Sequence, residues 1–296
     1  MEQTRQKSTY LLWAVWICAA ILLATVGLLI YLEVQSARMA ALEENAPPQT
    51  QPAVTEPEIT EPVVTEPTLP ILDLPENPYG PEDFGYRGRY LTCNAGSCML
   101  GIDVSAWQEE INWTLVKAVG MDFAMIRLAW RGSSEGRIEA DSCAVANYEG
   151  AKAAGVKVGG YFFSQAITPE EAVEEAEFLL EIIDGWEMDL PIVYDWEFAG
   201  GPRTDGMDAR AITDCAKAFC QTIEAAGYDA MVYFNPHMAY YDIYLEELKE
   251  YDFWLAMWDA DMVFPYQVDM WQYTDQGSVA GIEGNVDLDI YFIYEE

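Results

Sequence analysis

The sequence contains one histidine, His237, and only fifteen lysine and arginine residues against fifty aspartate and glutamate residues. The resulting net charge of −35 repels nucleic acid, and no basic stripe or basic run offsets it. Six cysteines are present, but no two form a Cys-x-x-Cys pair, so the usual ligand spacing of a zinc site is missing. We therefore expect no nucleic-acid partner, and we expect neither a metal nor a cofactor.

The cysteines include two pairs with a spacing of five residues. Cys93 and Cys98 flank the loop CNAGSC, which a disulfide could close in an exported domain, and two free thiols fit the spacing equally well. Cys215 and Cys220 lie on a predicted helix, at a spacing that does not place them on one face. Buried free thiols are the expected state of this second pair.

Charge is also missing from one long stretch near the N-terminus, because no charged residue occurs from Ser8 to Leu32. A transmembrane helix needs about 20 apolar residues, whereas the apolar region of a cleaved signal peptide has about 7–15. The length favours a retained transmembrane helix at residues 9–32 over a signal peptide. Arg5 and Lys7 precede it, so the positive-inside rule places residues 1–8 in the cytoplasm. The remaining chain is then extracellular, and the protein is a single-pass protein of the cell membrane.

Proline and glutamate dominate the segment that follows this helix. Thr-Glu-Pro occurs at 55–57, 60–62 and 65–67. Proline fixes φ and removes hydrogen-bond donors, and the acidic residues repel one another. Residues 33–80 are therefore predicted to form an extended, semi-rigid extracellular linker rather than a domain.

Residues 81–296 are predicted to form one domain, in which short apolar runs alternate with amphipathic helical patterns. This alternation is typical of parallel strands that are covered by helices. Predicted strands cover 99–105, 123–130, 157–163, 191–198, 230–236, 252–258, 268–274 and 286–292. Helical patterns fall at 113–119, 143–154, 169–185 and 208–226, with another near 238–249. The sequence thus predicts an α/β fold, an irregular barrel with about five β/α units and three closing strands that lack full crossovers.

Barrels carry catalytic groups at the carboxyl ends of their strands. Four acidic residues are candidates here, of which the first three end predicted strands and the fourth lies in the last strand. They are Asp103, Asp195, Glu197 and Asp287. Side chains two residues apart on a strand share one face, so Asp195 and Glu197 are expected at the same mouth of the barrel. Crowded carboxyl groups raise one pKa and supply a protonated acid beside ionised partners, as glycoside hydrolysis requires. Taken alone, an Asp-x-Glu pair fits a structural pair or a divalent-metal site as well.

Several segments between Gly101 and Phe292 resemble one known family. They are GIDVSAWQ, FAMIRLAWRG, AKAAGVKVGGYFF, LPIVYDWE, FWLAMW and MWQYTDQGSVAGIEGNVDLD. Their order and spacing resemble the glycoside hydrolase family 25 muramidases, the Chalaropsis-type lysozymes. The resemblance implies a barrel of five β/α units with three closing strands. It also implies hydrolysis of the β-1,4 bond between N-acetylmuramic acid and N-acetylglucosamine, with peptidoglycan glycan strands as the partner.

The resemblance also implies roles for the four acids. Glu197 matches the general acid, and Asp195 matches the group that stabilises positive charge or orients the N-acetyl group of the substrate. Asp103 and Asp287 match the flanking acids of the same site. The sequence departs from the family at Glu109, where glycine is frequent.

Aromatic residues near the strand ends are candidates for stacking on sugar rings, although barrel packing would account for many of them equally well. Arg127 could hold the pKa values of the acids or form a structural ion pair. The candidate substrate-binding residues are Tyr161, Trp196, Trp258, Trp271, Tyr273 and Arg127.

The leading hypothesis is a membrane-anchored muramidase. One alternative is a non-catalytic glycan-binding or scaffold protein on the same barrel, which would have no need of a protonated carboxyl group. Another alternative is a hydrolase of a different N-acetylated glycan, such as chitin.

Overall fold

The computed structural model describes residues 69–258 and 261–294. Its strands are β1 (Phe84–Arg87), β2 (Tyr90–Cys93), β3 (Ser97–Val104), β4 (Phe123–Arg131), β5 (Ile138–Ala140), β6 (Lys157–Ser164), β7 (Ile192–Trp196), β8 (Ala230–Phe234), β9 (Asp252–Ala256), β10 (Met270–Gly277) and β11 (Val286–Ile293). Its α-helices are α1 (Trp113–Ala118), α2 (Ala144–Ala154), α3 (Pro169–Ile182) and α4 (Ala209–Ala225). Each of the eight strands predicted from the sequence is present, with its ends shifted by at most three residues.

The eight strands β3, β4, β6, β7, β8, β9, β10 and β11 form a closed barrel, so the predicted mixed α/β barrel is confirmed. Neighbouring strands from β3 to β10 run parallel, whereas β11 is antiparallel to both β10 and β3. The short strand β5 pairs with the end of β4 outside this ring. Because β3 to β10 are parallel, their carboxyl ends all open at one mouth of the barrel.

Helices cover the first part of the barrel, as predicted. Thr168 caps α3 by accepting a hydrogen bond from the Glu171 backbone N–H at 3.3 Å, and Pro169 occupies the first helical position. The prediction of a fifth helix near 238–249 is wrong. This region contains a π-helical turn, Met238–Asp242, and a 3-10 turn, Leu245–Leu248, because Ile243 between them is extended (φ −139°, ψ 154°).

The barrel strands divide their side chains between two apolar clusters. Alternate residues point outward and pack against the helices, and the others point into the barrel. The inward cluster is smaller and consists of Phe123, Met125, Tyr161, Val193, Met231, Tyr233, Trp254, Ala256 and Met270. It fills the lower part of the barrel, and three of its members, Tyr161, Tyr233 and Trp254, also line a cavity at the mouth.

A hairpin of β1 and β2 precedes the barrel, and the sequence analysis did not predict it. Gly88, at φ 70°, and Arg89 form its two-residue turn. Phe84 of this hairpin packs edge-on against Trp271, with ring centroids 5.1 Å apart. Cys93 and Cys98 are free thiols. The expectation for Cys215 and Cys220 is confirmed, since both are buried, free and on α4.

The end of the predicted linker packs against the domain. The Leu72 backbone N–H donates to the Tyr266 hydroxyl at 2.7 Å, and the Asn77 backbone N–H donates to the Pro265 carbonyl at 2.9 Å. The folded region therefore begins before residue 81. Among the residues that the structure describes, no helix is long and apolar enough to span a bilayer. The predicted N-terminus 1–8, the transmembrane helix 9–32 and linker residues 33–68 lie outside the described residues.

Candidate active site

The four predicted acids line one cavity of about 410 Å³ at the mouth of the barrel. Asp103 and Asp195 lie near the ends of β3 and β7, and Glu197 follows β7 by one residue. Asp287 lies on β11, aligned with Asp103 across the antiparallel pair. The remaining lining residues are Ser105, Trp107, Gln108, Arg127, Tyr161, Phe163, Tyr233, Trp254, Trp258, Gln272, Asp275 and Asn285.

Gln272 on β10 fixes the Asp103 side of the cavity. Its Nε2 donates to Asp103 Oδ2 at 2.7 Å. Its Oε1 accepts hydrogen bonds from the Tyr233 hydroxyl at 2.9 Å and from Trp258 Nε1 at 2.8 Å. Because the amide oxygen is held by two donors, the amide nitrogen is directed at Asp103.

Gln165, directly after β6, fixes the backbone at Glu197. This glutamine is fully buried, and its Nε2 donates to the Glu197 carbonyl at 2.6 Å and to the Ser164 carbonyl at 2.7 Å. Asp195 is 5% exposed, and its Oδ1 is buried without a hydrogen-bond donor among the described residues. A buried anion without donors is costly, so this geometry favours a proton on the Asp195–Glu197 pair.

Burial raises the pKa of all four acids above their ordinary values. For Asp103, the charges of Asp287 and Asp289 add to the desolvation. For Asp195, burial and then the charge of Glu197 raise the pKa well above its usual range. Burial also raises the pKa of Glu197, although a hydrogen bond with Asp195 opposes this effect. The pKa of Asp287 rises to about 6, so the cavity can hold protonated and ionised carboxyl groups together near neutral pH.

Comparison with known proteins identifies the family. The sequence model for "Glycosyl hydrolases family 25" matches residues 102–282, which is more than half of the chain. The chain belongs to glycosyl hydrolase family 25.

Two curated relatives are named as lysozymes. The autolytic lysozyme of Clostridium acetobutylicum is 30% identical over 198 residues, which cover 64% of this chain and 55% of the relative. Lysozyme M1 of Streptomyces globisporus is 30% identical over 202 residues, which cover 63% of this chain and 65% of the relative. The match therefore spans only about half the length of the Clostridium protein.

A solved structure shows the same fold with similar sequence. The bacterial lysozyme from Streptomyces coelicolor is 29% identical, and the two structures superpose with a TM-score of 0.54. The similarity covers 67% of this chain and 94% of that one, so the barrel domain corresponds to nearly all of that lysozyme.

Of the six candidate substrate-binding residues, this family 25 barrel places three at the cavity: Tyr161, Trp258 and Arg127. Tyr161 is 8% exposed within the inward cluster, whereas Trp258 is 45% exposed at the rim. Trp258 therefore offers the larger free face for a sugar ring.

The other three candidates, Trp196, Trp271 and Tyr273, do not line this cavity. Trp196 separates the two inward-facing acids Asp195 and Glu197, so it points outward and donates its Nε1 to the Ala166 carbonyl at 3.2 Å. Trp271 and Tyr273 flank the inward-facing Gln272 and are likewise buried outside the barrel. The alternation of strand side chains, applied to these positions, would have excluded all three.

Arg127 forms the structural ion pair that the sequence analysis left open. Its Nε lies 2.8 Å from Asp141 Oδ2. The same carboxylate accepts hydrogen bonds from the backbone N–H of Ala106 at 3.0 Å and of Cys143 at 2.9 Å. Arg127 nevertheless lines the cavity, and its charge lowers the pKa of Asp195 against the effect of burial.

The segment after β3 brings an exposed tryptophan to the cavity rim, and the sequence analysis did not single it out. Trp107 is 81% exposed, and its backbone N–H donates to Ser105 Oγ at 3.2 Å. Gln108 Oε1 accepts the Ser105 backbone N–H at 2.9 Å, which closes the turn. Glu109 follows at φ 52°, a left-handed angle that favours glycine, in agreement with the glycine that the family resemblance implies there.

Two further acids near the site were also missed. Asp275 lines the cavity, and Asp289 lies below it on β11, at 1% exposure. In the part of the chain that the structure describes, no three His, Cys, Asp or Glu side chains are arranged to hold a metal ion. The cavity is therefore described by its carboxyl groups and their hydrogen-bond partners alone.

Proposed function

We propose that this protein is an N-acetylmuramidase, a lysozyme-type peptidoglycan hydrolase. It would cleave the β-1,4 bond between N-acetylmuramic acid and N-acetylglucosamine. One observation carries the proposal: Glu197 and Asp195 lie side by side in an open cavity, and burial raises the pKa of both. A protonated carboxyl group beside an ionised one is what acid-catalysed cleavage of a glycosidic bond needs.

In this proposal Glu197 is the general acid that protonates the leaving oxygen. Gln165 holds the Glu197 backbone, which limits the positions that the carboxyl group can take. Asp195 stabilises the positive charge that develops on the substrate, or orients the N-acetyl group. Since both acids lie at the end of one strand, neither faces the other across the sugar, and we infer that the substrate's own acetamide attacks.

Asp103 and Asp287 form the opposite wall of the site. Their strands are in register, and Gln272 holds Asp103 from the side. Ionised carboxyl groups there would lower the energy of an oxocarbenium-like transition state, because charge in a partly buried cavity is weakly screened. Trp107 and Trp258 at the rim would stack on neighbouring sugars.

The relatives support the same substrate class. The Clostridium acetobutylicum and Streptomyces globisporus relatives are named as lysozymes, and so is the Streptomyces coelicolor structure. The family match at residues 102–282 contains Asp103, Asp195 and Glu197, and Asp287 lies just beyond it.

The test uses the purified full-length protein and a Glu197→Gln variant on purified peptidoglycan. Mass spectrometry then reads the reducing-end sugar of the released fragments. The proposal expects N-acetylmuramic acid reducing ends from the wild type and none above background from the variant. A matched control is Glu224→Gln, which removes an exposed glutamate on α4 and should release fragments at the wild-type rate.

Other outcomes would identify the alternatives. Binding to peptidoglycan by both proteins without any release would favour a glycan-binding scaffold. Release of oligosaccharides from chitin, with none from peptidoglycan, would favour a different N-acetylated glycan. Either result would overturn the muramidase proposal.

We also propose that residues 9–32 anchor the enzyme in the cell membrane, with the barrel outside. The support is the uncharged run from Ser8 to Leu32 and the basic residues before it. The full-length chain should remain in the membrane fraction after high-salt washing, and a variant without residues 9–32 should not. An N-terminus of the mature protein beyond residue 32 would contradict the anchor and indicate a cleaved signal peptide.

A further inference from the structure

A fifth carboxyl group, that of Asp289, lies inside the barrel below the cavity. It follows Asp287 by two residues on β11, so the two side chains share the inward face. Asp287 is aligned with Asp103 on β3, whereas Asp289 is aligned with Gly101, two residues deeper in the barrel. Asp289 is 1% exposed and does not line the cavity, so no substrate atom reaches it.

The hydrogen bonds of Asp289 are unequal. Its Oδ1 accepts a hydrogen bond from Trp254 Nε1 at 3.0 Å. Its Oδ2 is buried and receives no hydrogen bond from an N–H or O–H donor among the described residues. An ionised carboxylate would leave this oxygen unsatisfied in the barrel interior, where a charge without a donor strongly disfavours the folded protein.

The charges around Asp289 are mostly negative. Within the described residues, the titratable or charged groups that face this part of the barrel are Asp103 on β3, Arg127 on β4, Tyr161 on β6, Asp195 and Glu197 on or after β7, Tyr233 on β8, Asp275 on β10, and Asp287 and Tyr291 on β11. From β9 and β10, the neutral side chains of Trp254 and Gln272 complete the wall. The single cation in this set, Arg127, is paired with Asp141.

Asp103, Asp287 and Asp289 therefore lie together without a cation of their own. The strand register places Asp103 directly opposite Asp287 and diagonally opposite Asp289 on the inward face, and a hydrogen bond between two carboxyl groups requires a proton on one of them. Gln272 already supplies a donor to Asp103 Oδ2, whereas Asp289 Oδ2 has none from a neutral side chain. The buried oxygen without a donor therefore belongs to the carboxyl group that is the diagonal neighbour of Asp103 across the strand pair.

We propose that Asp289 is a positioning residue for the reaction, whose buried carboxyl group shares one proton with Asp103 and thereby holds Asp103 in its orientation at the cavity wall. The proposal rests on the muramidase function proposed above. Asp103 is then fixed from two sides, by the Gln272 amide and by the shared proton. The shared proton also reduces the repulsion between Asp103 and Asp287, so that Asp287 can ionise.

The test compares Asp289→Asn with Asp289→Leu in the full-length protein. Asparagine keeps the oxygen that accepts from Trp254 and places an N–H where Oδ2 was, so it still donates to Asp103. Its kcat should remain within a few-fold of wild type. The acidic limb of its pH profile should move to lower pH, because one carboxyl group that raises the pKa of Asp103 is gone.

Leucine removes the donor altogether. Its kcat should fall on the order of 100-fold with little change in KM, because Asp103 loses its orientation while the rim stays intact. A matched control is Asp252→Asn, which removes a half-buried carboxyl group at the opposite end of the barrel, at the start of β9. This control should have the same pH profile of activity as wild type. A wild-type pH profile for Asp289→Asn, or equal losses of kcat in Asn and Leu, would overturn the proposal.

A second readout does not depend on activity. Infrared difference spectra of wild type minus Asp289→Asn at neutral pH should contain the stretching band of a protonated carboxyl group. Absence of this band would contradict the proposal of a shared proton, even if the enzyme is active. Conversely, if the wild type shows the band but releases no fragments with muramic acid reducing ends, the proposed function is contradicted and the shared proton is not.

Discussion

Two buried carboxyl sites lie at the ends of the neighbouring strands β6 and β7, and they differ in their partners. Glu175, on α3, is fully buried, and both of its oxygens are satisfied. Arg131 Nε lies 2.7 Å from its Oε1, and the Ser164 hydroxyl donates to its Oε2 at 2.6 Å. Asp195 is 5% exposed, faces the cavity, and has a buried oxygen that no described residue satisfies.

This difference in hydrogen-bond partners suggests that Glu175 is a structural carboxyl group and that Asp195 is suited to catalysis. Burial raises the pKa of Glu175 to about 7, and Arg131 and Ser164 oppose that effect. Asp195 has only the partial help of Arg127, and the charge of Glu197 raises its pKa further. A buried carboxyl group with a full set of donors holds two elements together, whereas one without donors costs stability and keeps a proton available.

The largest expected effect is a loss of catalysis at the Asp195–Glu197 site. Glu197→Gln should lower kcat by about 10²–10⁴-fold, the usual contribution of a general acid. The free energy of unfolding should not fall, because a carboxyl group that burial disfavours is replaced by a neutral amide. Turnover of a soluble peptidoglycan fragment and urea denaturation measure the two quantities. A large loss of stability would place Glu197 with the structural carboxyl groups.

The next largest effect is a loss of stability at the Glu175–Arg131 site. Arg131→Met leaves Glu175 buried without its cation, and this should lower the free energy of unfolding by about 3–5 kcal/mol. The double variant Arg131→Met with Glu175→Met should recover much of the loss, because no buried charge remains. Below the unfolding transition, kcat of both variants should stay close to that of wild type. A kcat that falls with stability would contradict the separation of the two sites.

The sequence allowed the barrel and its four acids to be predicted for a simple physical reason. Strands buried on both faces are near-continuous apolar runs, so a charged residue at the end of one, such as Asp103 or Asp195, is conspicuous. The register that aligns Asp103 with Asp287 was not predictable, because it depends on the antiparallel pairing of β11 with β3. Asp289 was missed because it lies in mid-strand, where no motif marks it.

Three of the aromatic candidates do not line the cavity, because the alternation of strand side chains was not applied to them. Trp196, Trp271 and Tyr273 each neighbour an inward-facing polar residue and therefore point outward. The π-helical turn at Met238–Asp242 could not be inferred, because only the adjacent residues Met238 and Ala239 are buried in it, and two neighbours define no period. The hairpin β1–β2 did carry a signal, since Gly88-Arg89 separates two short aromatic runs.

The pH dependence of stability gives a smaller effect that sharpens the comparison. The pKa of Asp287 rises from 3.8 to about 6 in the folded protein, so the folded state binds a proton that the unfolded state releases. Its contribution to stability is present below about pH 4 and is lost as the pH rises through about 6. Asp287→Asn should therefore flatten the fall in unfolding free energy across this range, by up to about 3 kcal/mol.

Urea denaturation between pH 4 and pH 7 measures this slope. Asp205→Asn is the matched control, because it removes an exposed aspartate and should leave the slope of wild type. An unchanged slope in Asp287→Asn would mean that the cavity carboxyl groups ionise without cost to folding. The distinction between satisfied and unsatisfied carboxyl groups would then not extend to Asp287.

The smallest expected effect concerns Ser164, which lies between the two sites. Its hydroxyl donates to Glu175, and its carbonyl accepts from Gln165, which also holds the Glu197 carbonyl. Ser164→Ala removes only the hydroxyl, so the free energy of unfolding should fall by about 1–3 kcal/mol, the usual cost of leaving a buried acceptor without its donor. The backbone contact to Gln165 remains, and kcat should change by less than about twofold, since no group that touches substrate has moved. Thermal unfolding and turnover measure the two. A drop in kcat without a drop in stability would show that Glu175 positions Glu197 through this serine, and the two carboxyl sites would then be one network.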